Sequence, residues 1–229
     1  MTDTRTIVVV GANVGLGNAV LATFAARGWS TAALGRAAAL GSVNAEHAIA
    51  CDATDPTRVA AAFDELARAA PPVRAVIYNA HRVDLAPALE LELATFEAAW
   101  RTCCYGAFVV ARRAIPMMIG HGGGTLLLTG ATASMRGGPR SSAFASAKFA
   151  LRGLAQSLAR EHSPAGIHVA HVIIDGLIRS ERTKQRFDAD PARCMDPHDV
   201  ARVYADLVEQ PSSTWTHELD LRGPHDRFY

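Results

Sequence analysis

Ile7-Val8-Val9-Val10-Gly11-Ala12-Asn13-Val14-Gly15-Leu16-Gly17 decides the fold. A β-branched run of strand character breaks at Gly11, and helical spacing begins at Leu16 and continues to Arg27. Glycines at this spacing also serve ordinary tight turns, but a strand before them and a helix after them give the run a specific meaning. The backbone turns sharply there, and free amides point at whatever sits on the helix N-terminus, a position that suits a diphosphate.

Outward from that turn, short β-branched runs alternate with longer Ala-rich segments of helical period, the pattern of repeated strand-helix-strand units and a parallel sheet. Strands are expected at Thr6 to Val10, Ser30 to Leu34, Ala48 to Ala50, Ala75 to Tyr78, Gly124 to Thr129, His168 to Ile173 and Glu218 to Leu221. Helices are expected at Leu16 to Arg27, Pro56 to Ala69, Thr95 to Ile119, Ser142 to His162 and Pro197 to Glu209. Asp55 before Pro56 and Asp196 before Pro197 are helix start signals, because proline suits the first turn and aspartate caps it. The fold class is therefore α/β: a doubly wound parallel sheet of six or seven strands with helices on both faces, of Rossmann type. Residues 1–229 read as one dinucleotide-binding domain, since 229 residues with 49% hydrophobic and 20% charged composition suffice for one good core.

Lys plus Arg total 23 against 22 Asp plus Glu without long runs of either sign, so no nucleic-acid partner is expected. Met1 to Thr6 lacks the layout of a secretion signal, and apolar stretches such as Phe108-Val109-Val110 are soon broken by Arg112 and Arg113. No membrane partner is expected, and a cytoplasmic location fits. Cys51, Cys103, Cys104 and Cys194 show no zinc spacing, and His168 with His171 has neither acidic company nor helical spacing, so no metal site is expected. The charged segment Leu177 to Cys194 breaks the rhythm and reads either as a flexible flap over a substrate pocket or as a solvated surface loop.

The run from Val10 to Gly17, then Asp52-Ala53, Tyr78-Asn79-Ala80-His81, Phe144 with Lys148, and Asp175-Gly176 resemble the ordered landmarks of the short-chain dehydrogenase/reductase family. The resemblance spans roughly Ile7 to Asp220, and Leu126 to Gly137 with Trp215 to Arg222 resemble a bacterial branch described only as oxidoreductases of unknown substrate. It implies NAD or NADP held by Gly11, Asn13, Val14, Gly15, Leu16 and Gly17. It further implies that Asp52 and Ala53 meet the adenine, that Asn79 and Ala80 line the cofactor strand, and that Gly176 and Ile178 lie near the nicotinamide. An acid at the end of the second strand would bind the ribose 2'-hydroxyl, whereas Ala33-Leu34-Gly35-Arg36 offers an arginine that suits a 2'-phosphate, so NADP is preferred.

The resemblance also implies a reaction centre of asparagine, serine, tyrosine and lysine. Here only Lys148 matches: Phe144 stands in the tyrosine position, Ala131 in the serine position and Cys103 in the asparagine position. Thr132, Ser134 and, best on chemistry, His81 are the candidate substitute proton donors. Two functions follow: an oxidoreductase with a rebuilt site acting on a small carbonyl or alcohol, or a non-catalytic dinucleotide-binding sensor or scaffold. Family members pair through two long helices, so a homodimer or homotetramer is expected.

Overall fold

A computed structural model describes residues 4–223; residues 1–3 and 224–229, at the two ends of the expected 1–229 domain, lie outside the described residues. Seven parallel strands form one sheet in the order β3-β2-β1-β4-β5-β6-β7. They are β1 Thr6–Val10, β2 Ser30–Gly35, β3 His47–Ala50, β4 Val73–Tyr78, β5 Gly124–Thr129, β6 Ile167–Asp175 and β7 Glu218–Arg222. The eight α-helices of the described residues are α1 Leu16–Ala26, α2 Ala37–Leu40, α3 Pro56–Ala69, α4 Leu93–Trp100, α5 Gly106–Gly120, α6 Ser142–His162, α7 Glu181–Phe187 and α8 Pro197–Val208.

The first strand explains why both sheet faces are covered. Val8 and Val10 join a core with Phe63 and Leu66 of α3, Val110 and Ile115 of α5, and Leu151 of α6. Ile7 and Val9 join a second core with Val20 and Phe24 of α1 and Val200 and Tyr204 of α8. A strand buried on both sides must be apolar throughout, which is why β1 shows no alternation. Asp55 caps α3 through the Thr57 and Arg58 amides, and Asp196 caps α8 through the His198 amide, as their positions before proline led us to expect.

The structure corrects one expectation and adds detail to two others. The single helix expected at Thr95 to Ile119 runs from Leu93 to Gly120 and contains a π turn at Arg101–Tyr105, because one turn of wider hydrogen bonding barely alters the apolar period. By length and composition this stretch is apolar enough to cross a membrane, but 56% of its most apolar window is buried inside the molecule, and a buried core helix passes the same test. The segment Leu177 to Cys194 holds α7 and has a bridge between Ile178 and Met195 at its base.

The strand order reverses direction between β1 and β4. Open α/β sheets bind ligands in the crevice at the carboxyl ends of strands beside such a reversal. Gly11, Asn79, Gly130 and Gly176 each follow or end a strand along that edge.

Candidate functional site

The turn after β1 is shaped for a close approach. Gly11 has φ +79°, and a Cβ there would stand 2.4 Å from the Ala80 backbone nitrogen, so neither the conformation nor the space admits a side chain. Asn79 ties the turn to β4: its amide donates to the Val10 carbonyl at 2.8 Å and its Nδ2 to the Gly11 carbonyl at 3.3 Å. Asn13 Oδ1 accepts from the Gly15 amide at 2.9 Å. The N-terminus of α1 itself has no side-chain cap and no acid in its first turn. Open amides on a positive helix end, reached through a turn with no room for side chains, fit a dinucleotide diphosphate.

Arg36 follows β2 directly and is exposed, with no acid between Leu34 and Ala37. Asp52 is exposed after β3, and its Oδ1 accepts from both the amide and the hydroxyl of Thr54 at 2.9 Å, which fixes the carboxylate locally.

A cavity of about 550 Å³ opens beside this cradle and brings together Asn13, Asn79, His81, Ala131, Phe144 and Lys148. Val14, Gly15, Leu16, Gly176 and Ile178 also border it. Gly11, Gly17, Arg36, Asp52, Ala53 and Ala80 are not on its walls, so the candidate adenine side lies outside the deep pocket.

Lys148 is 2% exposed and its Nζ donates to the Thr129 carbonyl at 2.6 Å. Burial pushes its pKa down. The Phe144 ring centroid lies 5.8 Å from that Nζ, one helical turn away on α6. Phe144 thus forms wall next to the lysine but has no proton to exchange.

Cys103 lies off the cavity wall and is fully buried in the π turn, with Sγ 3.9 Å from the Arg82 carbonyl. It packs as a small apolar residue. The hydroxyls expected to replace the missing serine are engaged elsewhere. Ser134 is fully buried and its Oγ accepts from the Ala131 amide at 3.1 Å. Thr132 Oγ1 donates to Asp175 Oδ1 at 2.6 Å. Asp175 is itself held by Arg222 at 3.1 Å and Arg136 at 3.5 Å, so this carboxylate fastens the turn that ends β6.

His81 lies on the cavity wall with Nδ1 3.0 Å from the Asn79 carbonyl, a contact that a neutral ring makes by donating from Nδ1. The crowded wall, followed by Lys148, lowers its pKa to about 4. The ring is neutral at pH 7 and keeps its lone pair on Nε2. That form takes a proton more readily than it gives one.

Sequence reasoning did not single out Arg136, which also lines the cavity, as do Arg182 and Arg186 of the charged segment that reads as a flap or a surface loop. The charge of the segment that follows Gly176 was the available signal; its helical form was not.

Comparison with known proteins gives a consistent picture. A family model described as short chain dehydrogenase matches residues 5–191. The 3-oxoacyl-(acyl-carrier-protein) reductase MabA of Mycobacterium avium is 31% identical over 180 residues, which are 79% of this chain and 69% of that protein. A probable short-chain type dehydrogenase/reductase of Bradyrhizobium diazoefficiens is 32% identical over 148 residues, and there the match spans 63% of this chain but only 51% of the relative's length. A short-chain dehydrogenase structure from Rhodopseudomonas palustris is 35% identical and superposes with a TM-score of 0.79, covering 95% of this chain and 98% of that one. An actinorhodin polyketide ketoreductase solved with NADPH is 19% identical with a TM-score of 0.85, covering 97% of each chain, a likeness of fold alone.

Proposed function

The chain belongs to the short-chain dehydrogenase/reductase family of NAD(P)-dependent oxidoreductases, and from that premise we propose an NADP-binding oxidoreductase for a small carbonyl or alcohol, with only Lys148 kept from the usual reaction centre. One observation supports this reading: in a chain of this family, a cavity opens beside the Gly11 to Gly17 turn with Lys148 and Phe144 together on its wall. The cradle of Gly11 to Gly17, Asn79 and the Ile178 turn holds the cofactor, which when bound supplies or takes a hydride.

What the chain's own residues do is position and exclude. Lys148, as an ammonium, offers donors for ribose hydroxyls in addition to its bond to Thr129. Phe144 and Ala131 keep water from the reacting face without donating to an oxyanion. Loss of a positioned general acid costs about 10²–10⁴ in rate, and loss of an oxyanion donor about 10²–10³. The two penalties overlap where the groups act as one unit. His81 is a titratable side chain on the wall that is neutral at pH 7, so it carries no imidazolium proton to give in carbonyl reduction.

The same phenyl wall favours a second reading, a non-catalytic sensor or scaffold that binds the dinucleotide and turns nothing over. Under either reading the chain works as a homodimer or homotetramer. Phe96 and Trp100 of α4, Phe108 of α5 and Phe149 of α6 are all exposed apolar residues on the long helices. The free thiols at Cys51, Cys103, Cys104 and Cys194 fit a reducing cytoplasm.

Arg36 supports NADP over NAD. Titration of NADPH and NADH against the natural chain and Arg36→Asp tests this. NADPH affinity is expected to fall at least about tenfold in the variant, since a guanidinium–phosphate contact becomes a repulsion, while NADH affinity holds or rises. Equal affinity of the natural chain for both cofactors, unchanged by the substitution, contradicts it.

A further inference from the structure

Four cationic side chains, Lys148, Arg136, Arg182 and Arg186, line the cavity, and no Asp or Glu is among its lining residues. Two of the four are accounted for: Lys148 is bound to the Thr129 carbonyl and Arg136 is paired with Asp175. Arg182 and Arg186 remain, one turn apart on α7. Arg179 just before that helix pairs with Asp196, but no carboxylate on the cavity wall answers Arg182 or Arg186. Arg186 also donates to the Val83 backbone carbonyl, which brings α7 against the loop after β4 and places both guanidinium groups at the cavity's edge.

Apolar side chains share that edge with Ser180 and Thr183. Leu85, Leu177 and Phe187 line the cavity at 44%, 39% and 40% exposure, and Phe144 and Val83 continue the wall inward. Side chains of this size left partly open around a pocket mark a surface that a ligand covers. The positive field converges on His81, where Lys148, Arg182 and Arg186 all disfavour the imidazolium. Arg182 and Arg186 are exposed at the rim of this concave site, Arg186 with a bond to the Val83 carbonyl, and the planar fork of each matches a carboxylate or phosphate.

We propose that Arg182 and Arg186 select the substrate, a carbonyl or alcohol compound with an apolar body and an oxyanion at one end. This rests on the cavity being the substrate site of an oxidoreductase. The other source of the same chemistry is the cofactor's own diphosphate, and the test separates the two.

The probes are 4-oxopentanoate and its methyl ester, which share carbonyl and chain and differ in charge. Each is titrated calorimetrically into the natural chain saturated with NADP+, which a ketone cannot reduce because it has no hydride to give, and into Arg182→Gln/Arg186→Gln. The acid is expected to bind the natural chain at least about tenfold more tightly than the ester, the scale of a lost charge-assisted hydrogen bond. The double variant is expected to erase that preference while its NADP+ affinity stays within about threefold. The proposal is overturned if the natural chain binds the ester as well as the acid or binds neither. It is equally overturned if the variant keeps the preference, or if the variant's loss falls on NADP+, which would assign the arginines to the cofactor. Should the natural chain take no dinucleotide at all, the oxidoreductase reading fails, and the acid-to-ester comparison on the free protein still decides the inference.

Discussion

Histidine 171 shows how burial at a single residue sets a property of the whole chain. It is fully buried on β6 with Nδ1 3.1 Å from Glu218 Oε2, and Glu218 is also gripped by Arg152 through contacts of 2.6 and 2.7 Å. Burial dominates and lowers the His171 pKa to about 4, against the pull of Glu218. In the unfolded chain the ring titrates near 6.5, so between these values the unfolded state binds more protons and stability falls as pH drops. Urea unfolding at pH 7 and pH 5 is expected to show about 2 kcal/mol lost by pH 5 through this group. His171→Gln is expected to flatten the slope, and an unchanged slope in the variant would assign the acid sensitivity to another group. At this scale the family resemblance pointed to Phe144, Ala131 and Cys103, and of these Phe144 and Ala131 line the cavity while Cys103 lies off its wall. The sequence did not display where hydroxyls point: Thr132 and Ser134 are drawn to Asp175 and the Ala131 amide by partners distant in, or folded back along, the chain.

Among the elements, the π turn between α4 and α5 has a visible cause. Tyr78 at the end of β4 is fully buried, and its hydroxyl donates to the Thr102 carbonyl inside that turn at 2.5 Å. A Cβ on Gly106 would stand 2.4 Å from the same oxygen, so the glycine leaves room for the phenol. Tyr78→Phe removes the donor of that hydrogen bond, a change worth about 0.5–1.5 kcal/mol of stability. Urea unfolding measures it directly, and no loss would mean that the turn keeps its carbonyl satisfied without Tyr78. Neither the π turn nor α7 was legible in sequence. A wider turn leaves the apolar period almost intact, and α7 has no buried residue to give it a period. The strands and the capped helices were legible because each carries its own local chemistry: unbroken β-branched runs in β1, and Asp-Pro starts at α3 and α8.

For the whole molecule, seven parallel strands and the reversal beside β1 bring the turns after β1, β4, β5 and β6 to one edge of the sheet. This much followed from the alternation of strand and helix patterns, since the right-handed crossovers of parallel strands leave few other arrangements. Substrate choice did not follow, because α7 and the loop after β4 meet across the cavity only in three dimensions. The central claim is that a complete nucleotide cradle stands beside a site stripped of its proton donors. NADPH oxidation over a panel of small carbonyl compounds, measured for the natural chain and for Phe144→Tyr/Ala131→Ser/Cys103→Asn, tests it most directly. Both proteins are expected to bind NADPH, with turnover in the triple variant higher by about 10²-fold or more, the scale of a restored general acid. Rapid turnover by the natural chain, slowed by the three substitutions, would contradict it.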